Sequence, residues 1–403
     1  MNILVITNHF YPENFKINDL VDGLTEKGHK IRVVTQMPNY PSGNFHSGFH
    51  FFGPLKERHP KGHTIYRVPV FPRLEGKNWQ LVFNYLSYAL FSSFFVLFLL
   101  RKPVDKIFVY ETSPMTVGIP ALVFKFFKRI PLYFWITDLW PESLMAVGAV
   151  KNKVILKLVE WMVKFIYHHC DYILMASQAF KTSILKFGVP EKKLLYFPQW
   201  AEEYYRPLTE DPKLSQFVGH ENFFKLMFAG NIGEAQSFET LTQAANILKE
   251  EKNIHWYILG NGRRKAWANE EIIRLGLQSN FHFLGSFPPE KMSEFFYYAD
   301  GLIVSLKKAE IFALTIPAKV QAYLACEKPI LASLDGEGAR IIEEANAGFT
   351  SESENAAALA QNILQLQNST QKKNGRQYFE KNFSRALLLS KIESWLISSK
   401  PCD

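Results

Sequence analysis

Residues 81–100 read LVFNYLSYALFSSFFVLFLL. As a helix these twenty mostly apolar residues reach about 30 Å, long enough to cross a bilayer. Basic residues flank both ends, Arg73 and Lys77 before and Arg101 and Lys102 after. The neighbouring segments decide how to read the stretch. Short apolar runs of strand character stand on both sides, at residues 3–7, 31–35 and 65–70 before it and at 106–110, 132–136 and 172–176 after it. A spanning helix would put three of these strands on each side of the membrane, and one parallel sheet cannot be divided that way. The stretch is therefore read as a helix covering a sheet, with two readings open: full burial in the fold, or one face dipping into lipid.

Six more strand candidates follow, at 226–229, 256–259, 281–284, 302–305, 330–332 and 348–350, with helical patterns between most of them. Such alternation predicts parallel sheets covered by helices on both faces, an α/β class. Twelve strands suit two doubly wound sheets of about six better than one. The break falls near residues 188–222, where Gly188, Pro190, Pro198, Pro207, Pro212 and Gly219 interrupt any periodicity. Three segments result: residues 1–200, residues 201–375, and a final helix over 376–398 in a tail, 376–403, that packs back on the first domain. Neither a solenoid-length repeat nor a low-complexity tract is present.

The chain has 403 residues, with 47% apolar and 21% charged, a composition that supports a large core. Three cysteines without CxxC spacing exclude a disulfide scaffold and a cysteine-rich zinc site, and fit a reducing compartment. No export signal is expected ahead of the first strand. The net charge of +8 is uneven, at +11 for residues 1–200 and −3 for the remainder. The first half also holds 36 of the 60 aromatic residues. A basic, aromatic half calls for an anionic partner. Residues 120–129 combine Phe124, Phe126 and Phe127 with Lys125, Lys128 and Arg129, and 151–169 place an apolar stripe among Lys151, Lys153, Lys157 and Lys164. With 81–100 these segments predict docking on an anionic membrane surface. Nucleic-acid binding is disfavoured, because no zinc-finger spacing, RNP-like strand or long basic run occurs.

The chemistry concentrates where strands end. The first strand runs into His9, Glu13, Asn14 and Lys16, a turn without the glycines of a dinucleotide fingerprint but suited to sugar hydroxyls and a phosphate. The fifth delivers Asp138 to the sheet edge, where an acid accepts a hydroxyl proton or binds a hydroxyl; the plainer reading is a helix cap. The second half offers small-residue turns at Gly230-Asn231-Ile232-Gly233 and Gly260-Asn261-Gly262-Arg263. Two more helix starts follow, around Thr315 to Lys319 and at Glu337-Gly338. Four such turns on one sheet edge point to a nucleotide diphosphate, with Lys319 and Arg263 as cations and Glu337 on the ribose. No Asp-x-Asp, HExxH or P-loop is present, so no metal clamp is expected and amides with basic side chains would stabilise the leaving diphosphate.

These residues resemble family 4 glycosyltransferases of the GT-B fold, and more closely the WbuB-type L-fucosamine transferases of bacterial surface-polysaccharide assembly. The likeness rests on YPENFKIND (11–19), PNYPSG (38–43), TSPMTVGIP (112–120), DLWPES (138–143), FAGNIGEAQ (228–236), IFALTIPAKVQAYLACEKPIL (311–331) and DGEGARIIEEANAG (335–348). It implies two facing Rossmann-like domains with the active site between them. It also implies a retaining, metal-independent transfer from a UDP-sugar, best N-acetyl-L-fucosamine, with no further cofactor. The acceptor would be an undecaprenyl-diphosphate-linked saccharide of O-antigen or capsule synthesis, at the cytoplasmic face of the inner membrane. On this reading Asp138 and Glu13 handle the acceptor side, with His9, Asn14, Lys16, Asn39 and Tyr40 around the acceptor.

The chain departs from the family pattern at several positions. Leu314 and Ala322 stand where many members have two glutamates, Asn231 and Gln236–Ser237 where an arginine and a lysine are common, Thr137 where a histidine is frequent and Glu327 where a glycine is usual. Positive charge then falls to Lys319, Arg263 or Arg264. Two rivals stay open: a UDP-sugar 2-epimerase on the same fold, and a non-catalytic membrane-surface scaffold.

Overall fold

A computed structural model describes residues 1–146, 152–369 and 375–398. It divides into two compact units. One comprises Met1–Pro198 with Leu389–Asp403, and the other Gln199–Leu388.

The first unit is built on an eight-stranded sheet. Its strands are β1 (Asn2–Thr7), β2 (Lys30–Gln36), β3 (Lys56–Arg58), β4 (Thr64–Val68), β5 (Lys106–Glu111), β6 (Leu132–Ile136), β7 (Tyr172–Met175) and β8 (Leu194–Tyr196). Their order is β3-β4-β2-β1-β5-β6-β7-β8, and every pair is parallel except β3–β4. The central strands are buried almost end to end, as a sheet covered on both faces requires. All six strands expected here form. β3 and β8 had no pattern to announce them: β3 is a polar Lys-Glu-Arg edge paired by a hairpin, and β8 is three residues long.

The second unit has six parallel strands, β9 (Phe224–Ala229), β10 (Ile254–Leu259), β11 (Phe281–Gly285), β12 (Gly301–Ser305), β13 (Ile330–Ser333) and β14 (Gly348–Ser351). The order is β11-β10-β9-β12-β13-β14. All six correspond to expected segments. Strand order reverses beside β9, so the loops after β9 and β12 diverge and leave room at the carboxyl edge.

The chain end is not one helix over 376–398. Helix Arg376–Asn382 packs in the second unit, where Phe379 and Phe383 enter the core and Arg376 donates to the Ala325 carbonyl at 2.6 Å. The break comes at Phe383, whose burial there holds it in a non-helical conformation. Helix Arg385–Ile397 follows and from Leu389 belongs to the first unit. There Glu393 accepts from Lys27 (2.5 Å) and faces His29 (3.0 Å), and the Tyr133 hydroxyl donates to the Trp395 carbonyl at 2.7 Å.

Helix Asn78–Phe98 carries its amphipathic pattern in reverse. Gln80, Asn84, Ser87, Tyr88 and Ser92 face inward, while Val82, Phe83, Leu86, Leu90, Phe94 and Phe98 face out. Most of the inward polar groups find partners, the Asn84 side-chain oxygen excepted. Tyr88 donates to the Thr7 carbonyl (2.9 Å), Asn84 donates to Phe71 O (2.7 Å), and Ser87 accepts from Phe71 N (3.1 Å). By length and composition this is a helix able to cross a membrane, yet its polar face is seated on the sheet.

Candidate active site

At the carboxyl edge of the first sheet, β1 runs into a turn built around Glu13. This carboxylate is 3% exposed. Its Oε1 accepts the main-chain N–H groups of Asn39 and Tyr40, each at 2.7 Å, and its Oε2 accepts from His9 Nδ1 at 2.5 Å. Arg73 donates to the other nitrogen, His9 Nε2, at 2.9 Å. His9 is thus held as the neutral Nδ1–H tautomer. Burial, the largest effect, lowers its pKa against the pull of Glu13. Glu13, expected to handle protons, is fully engaged within the protein and acts as the brace joining the turn after β1 to the loop after β2. His9, expected to contact an acceptor, has both nitrogens occupied and its ring stacked on Phe15 at 4.7 Å. Asn39 is wholly buried, its amide donating to Met37 O. Asn14 and Tyr40 are exposed, and Lys16 is half-buried at the start of helix Lys16–Glu26. Arg73 carries its charge over the Tyr40 and Tyr85 rings, 5.6 and 5.5 Å from their centroids.

Asp138 follows β6 and is partly exposed. Burial raises its pKa, against hydrogen bonds from Ser143, the Leu139 main chain and Trp140 that lower it. Beneath it lies a residue the sequence reading missed. Glu111, at the end of β5, is fully buried; its Oε1 accepts the Ser113 N–H at 2.7 Å, and its Oε2 has no protein partner. Burial first, and the Asp138 charge second, push its pKa well up. Arg73 was read only as a helix flank, and Glu111 lies directly after the expected strand 106–110. A charged residue closing an otherwise apolar strand was the available signal for Glu111.

In the second unit the turns after β9 and β10 interlock. Gly230 N donates to Leu259 O and Ile232 N to Asn261 O, both at 2.8 Å. Gly260 has φ +134°, and a Cβ there would lie 1.9 Å from the Gly230 carbonyl oxygen, so only glycine fits. Gly336 (φ +71°) meets the Ala313 carbonyl in the same way, at 2.1 Å. Gly338 lets its helix, Glu337–Glu344, approach Pro317. Close packing thus collects Gly230, Gly233, Gly260, Gly262, Thr315 and Gly338 along one edge.

Lys319 is the charge at that edge. Its ammonium lies 3.7 Å from the Phe228 ring centroid, against Gly230, and donates to Gln236 Oε1. Desolvation alone lowers its pKa to about 7. Among the described residues no carboxylate forms an ion pair with it, which is costly for a desolvated cation and fitting for a site that receives an anion. The other candidate cations differ. Arg264 is tied to Glu234 and Glu239, whereas Arg263 is exposed on the turn, as is Asn231. Glu337, expected on a ribose, is 5% exposed and gripped at both oxygens by Arg340, at 2.8 and 3.0 Å. Thr315 donates to Phe312 O at 3.2 Å.

Residues 224–369, which carry these turns, match the family model described as glycosyl transferases group 1. The chain is a glycosyltransferase. It is similar to a protein named as a colanic acid biosynthesis glycosyl transferase, WcaI of Escherichia coli K12, at 26% identity over 69% of this chain and 70% of that one. WbjE of Pseudomonas aeruginosa, named as a glycosyltransferase, is 25% identical over 68% and 71%. Among solved structures, HepE of Anabaena in complex with UDP gives a TM-score of 0.69 at 16% identity, covering 98% of this chain and 99% of that one. OtsA in its apo form gives 0.71 at 11% identity, covering 99% of each chain. The glycosyltransferase has the GT-B architecture of two Rossmann-like parallel-sheet domains.

Proposed function

We propose that this glycosyltransferase transfers a sugar from a UDP-sugar to a lipid-linked saccharide in bacterial surface-polysaccharide synthesis, retaining anomeric configuration without a metal. The observation that carries the donor half is the Lys319 ammonium, desolvated over Phe228, without a carboxylate partner among the described residues and framed by glycine turns. A diphosphate would supply the missing negative charge, and the same ammonium would stabilise that charge as the sugar leaves. The names of the relatives support polysaccharide synthesis as the setting, and neighbours solved with UDP or UDP-glucose support the nucleotide. On the acceptor side, Asp138 receives the hydrogen bond of the incoming hydroxyl, while Glu13 and Glu111 position the turns around it. N-acetyl-L-fucosamine is the sugar the subgroup likeness favours.

The proposed acceptor is membrane-borne, and the first unit is equipped to reach it at the cytoplasmic face. The outward side of helix Asn78–Phe98 is joined by Phe126 and Phe127 and by Val154, Ile155, Leu158, Trp161 and Phe165, all exposed. Helix Lys153–His169 seats Val163, Ile166 and Tyr167 inward, so its second apolar stripe is left facing out among Lys153, Lys157 and Lys164. Lys151, assigned to the same surface, lies outside the described residues. Large exposed apolar areas rimmed by lysines suit an anionic bilayer. The deciding experiment incubates purified protein with a panel of UDP-sugars and membrane lipid extract and follows UDP release. Release that needs both sugar nucleotide and lipid supports the reading; turnover without lipid favours the epimerase, and no turnover with liposome binding favours the scaffold.

A further inference from the structure

A second cluster of ligating side chains lies behind the turn after β1, on the first unit alone. Between β3 and β4 the chain reads His59-Pro60-Lys61-Gly62-His63. His59 N donates to His63 O (2.9 Å) and Gly62 N to His59 O (2.8 Å), closing a tight hairpin in which the two imidazoles stack at 4.3 Å. Asp22, on helix Lys16–Glu26, faces both rings. Its Oδ1 lies 3.9 Å from His59 Nδ1 and 3.7 Å from His63 Nδ1, and the three ligand atoms lie within 4.8 Å of one another. His63 is 1% exposed, and neither ring nitrogen has a hydrogen-bond partner. A buried imidazole with two idle nitrogens needs an explanation, because such groups are ordinarily satisfied.

We propose that Asp22, His59 and His63 form a binding site for a borderline divalent metal ion, zinc or a chemical neighbour. Two imidazoles and one carboxylate are a donor set of that class, and a turn of one ring out of the stack would aim both imidazoles at a shared point beside Asp22. The opposing group is Lys61, whose ammonium lies 3.1 Å from Asp22 Oδ2 and 3.1 Å from Glu26 Oε1. That side chain is half exposed and free to swing toward Glu26 and solvent. The ion would take no part in diphosphate departure. It would stiffen the acceptor-side turn, because His63 packs edge-on against Phe10 (5.6 Å) and His59 against Tyr11 (4.9 Å), the residues directly after His9.

The test uses the full chain, stripped with chelator and titrated with Zn²⁺ by calorimetry and with Co²⁺ by visible absorption. The expected result is one equivalent bound, weakened at least roughly tenfold in His59→Ala and in Asp22→Asn. Lys61→Ala should tighten binding, since it removes the competing cation and deletes no ligand. This variant gives the opposite sign from lost folding, so a destabilised His variant cannot mimic the pattern. Absence of stoichiometric binding in wild type and Lys61→Ala alike, or binding indifferent to His59→Ala and Asp22→Asn, overturns the site.

Discussion

Replacing Lys319 with methionine keeps the length of the side chain and removes its charge. In the ligand-free protein the ammonium is desolvated over Phe228 and receives help only from Gln236, which lowers its pKa to about 7 against 10.5 for an ordinary lysine. A charge-assisted hydrogen bond to a phosphate contributes about 1.5–3 kcal/mol. At about 1.4 kcal/mol per decade, Lys319→Met should weaken UDP binding roughly 10–150-fold at pH 6.5. The pH dependence carries its own sign. UDP binds the protonated amine, so wild-type affinity falls as pH rises above 7, by up to about tenfold per unit, while Lys319→Met shows no such slope. Stability runs the other way. The folded pKa lies below the unfolded one, so the unfolded chain binds the extra proton between about pH 7 and 10.5, and ligand-free stability rises with pH across that window. Lys319→Met should therefore raise the Tm of the ligand-free protein at pH 7 while it lowers UDP affinity. Calorimetry across pH 6.5–9, in buffers of different ionisation enthalpy, measures the affinity, its slope and the proton taken up. Equal UDP affinity for both proteins, or a wild-type affinity flat through pH 7–9, refutes the reasoning.

Asp138→Asn should lower the transfer rate roughly 10²–10⁴-fold with UDP affinity intact, measured by UDP release and calorimetry side by side. Because burial raises the Asp138 pKa, wild-type turnover should fall on acidification at a pH above the ordinary aspartate range, as the carboxylate that accepts the hydroxyl proton is lost. Glu111→Gln keeps an oxygen acceptor for the Ser113 N–H and should keep most of the Tm, whereas Glu111→Ala strips that N–H of its acceptor and should lower it in a thermal melt. Gly260→Ala forces a Cβ onto the Gly230 carbonyl and should cost at least roughly 2 kcal/mol in a denaturant titration. Leu90→Glu with Phe94→Glu, both outward on their helix, should reduce liposome partitioning by roughly 2–3 kcal/mol and leave the Tm nearly unchanged.

Sequence alone determined the architecture, because fully buried parallel strands must be continuous apolar runs and the turns between them must be small or polar. Every such run became a strand in the expected unit; only the polar edge β3 and the three-residue β8 lacked that signature. The glycine turns were legible for the same reason, since close backbone approach leaves a compositional mark. Other features required side chains to meet across the fold. That Asn39, Tyr40 and His9 occupy the oxygens of Glu13, and that Arg340 grips those of Glu337, is visible only in the fold. Periodicity marked residues 81–100 as apolar but not which side faced in. That was decided by a handful of polar atoms, Tyr88 finding a backbone partner on the sheet and Asn84 and Ser87 finding theirs at Phe71 in the loop after β4, which turns the apolar side outward. Hydrogen-bond partners distant in sequence carry no local signature, so burial pattern is written in the chain while the assignment of each polar group waits for the fold.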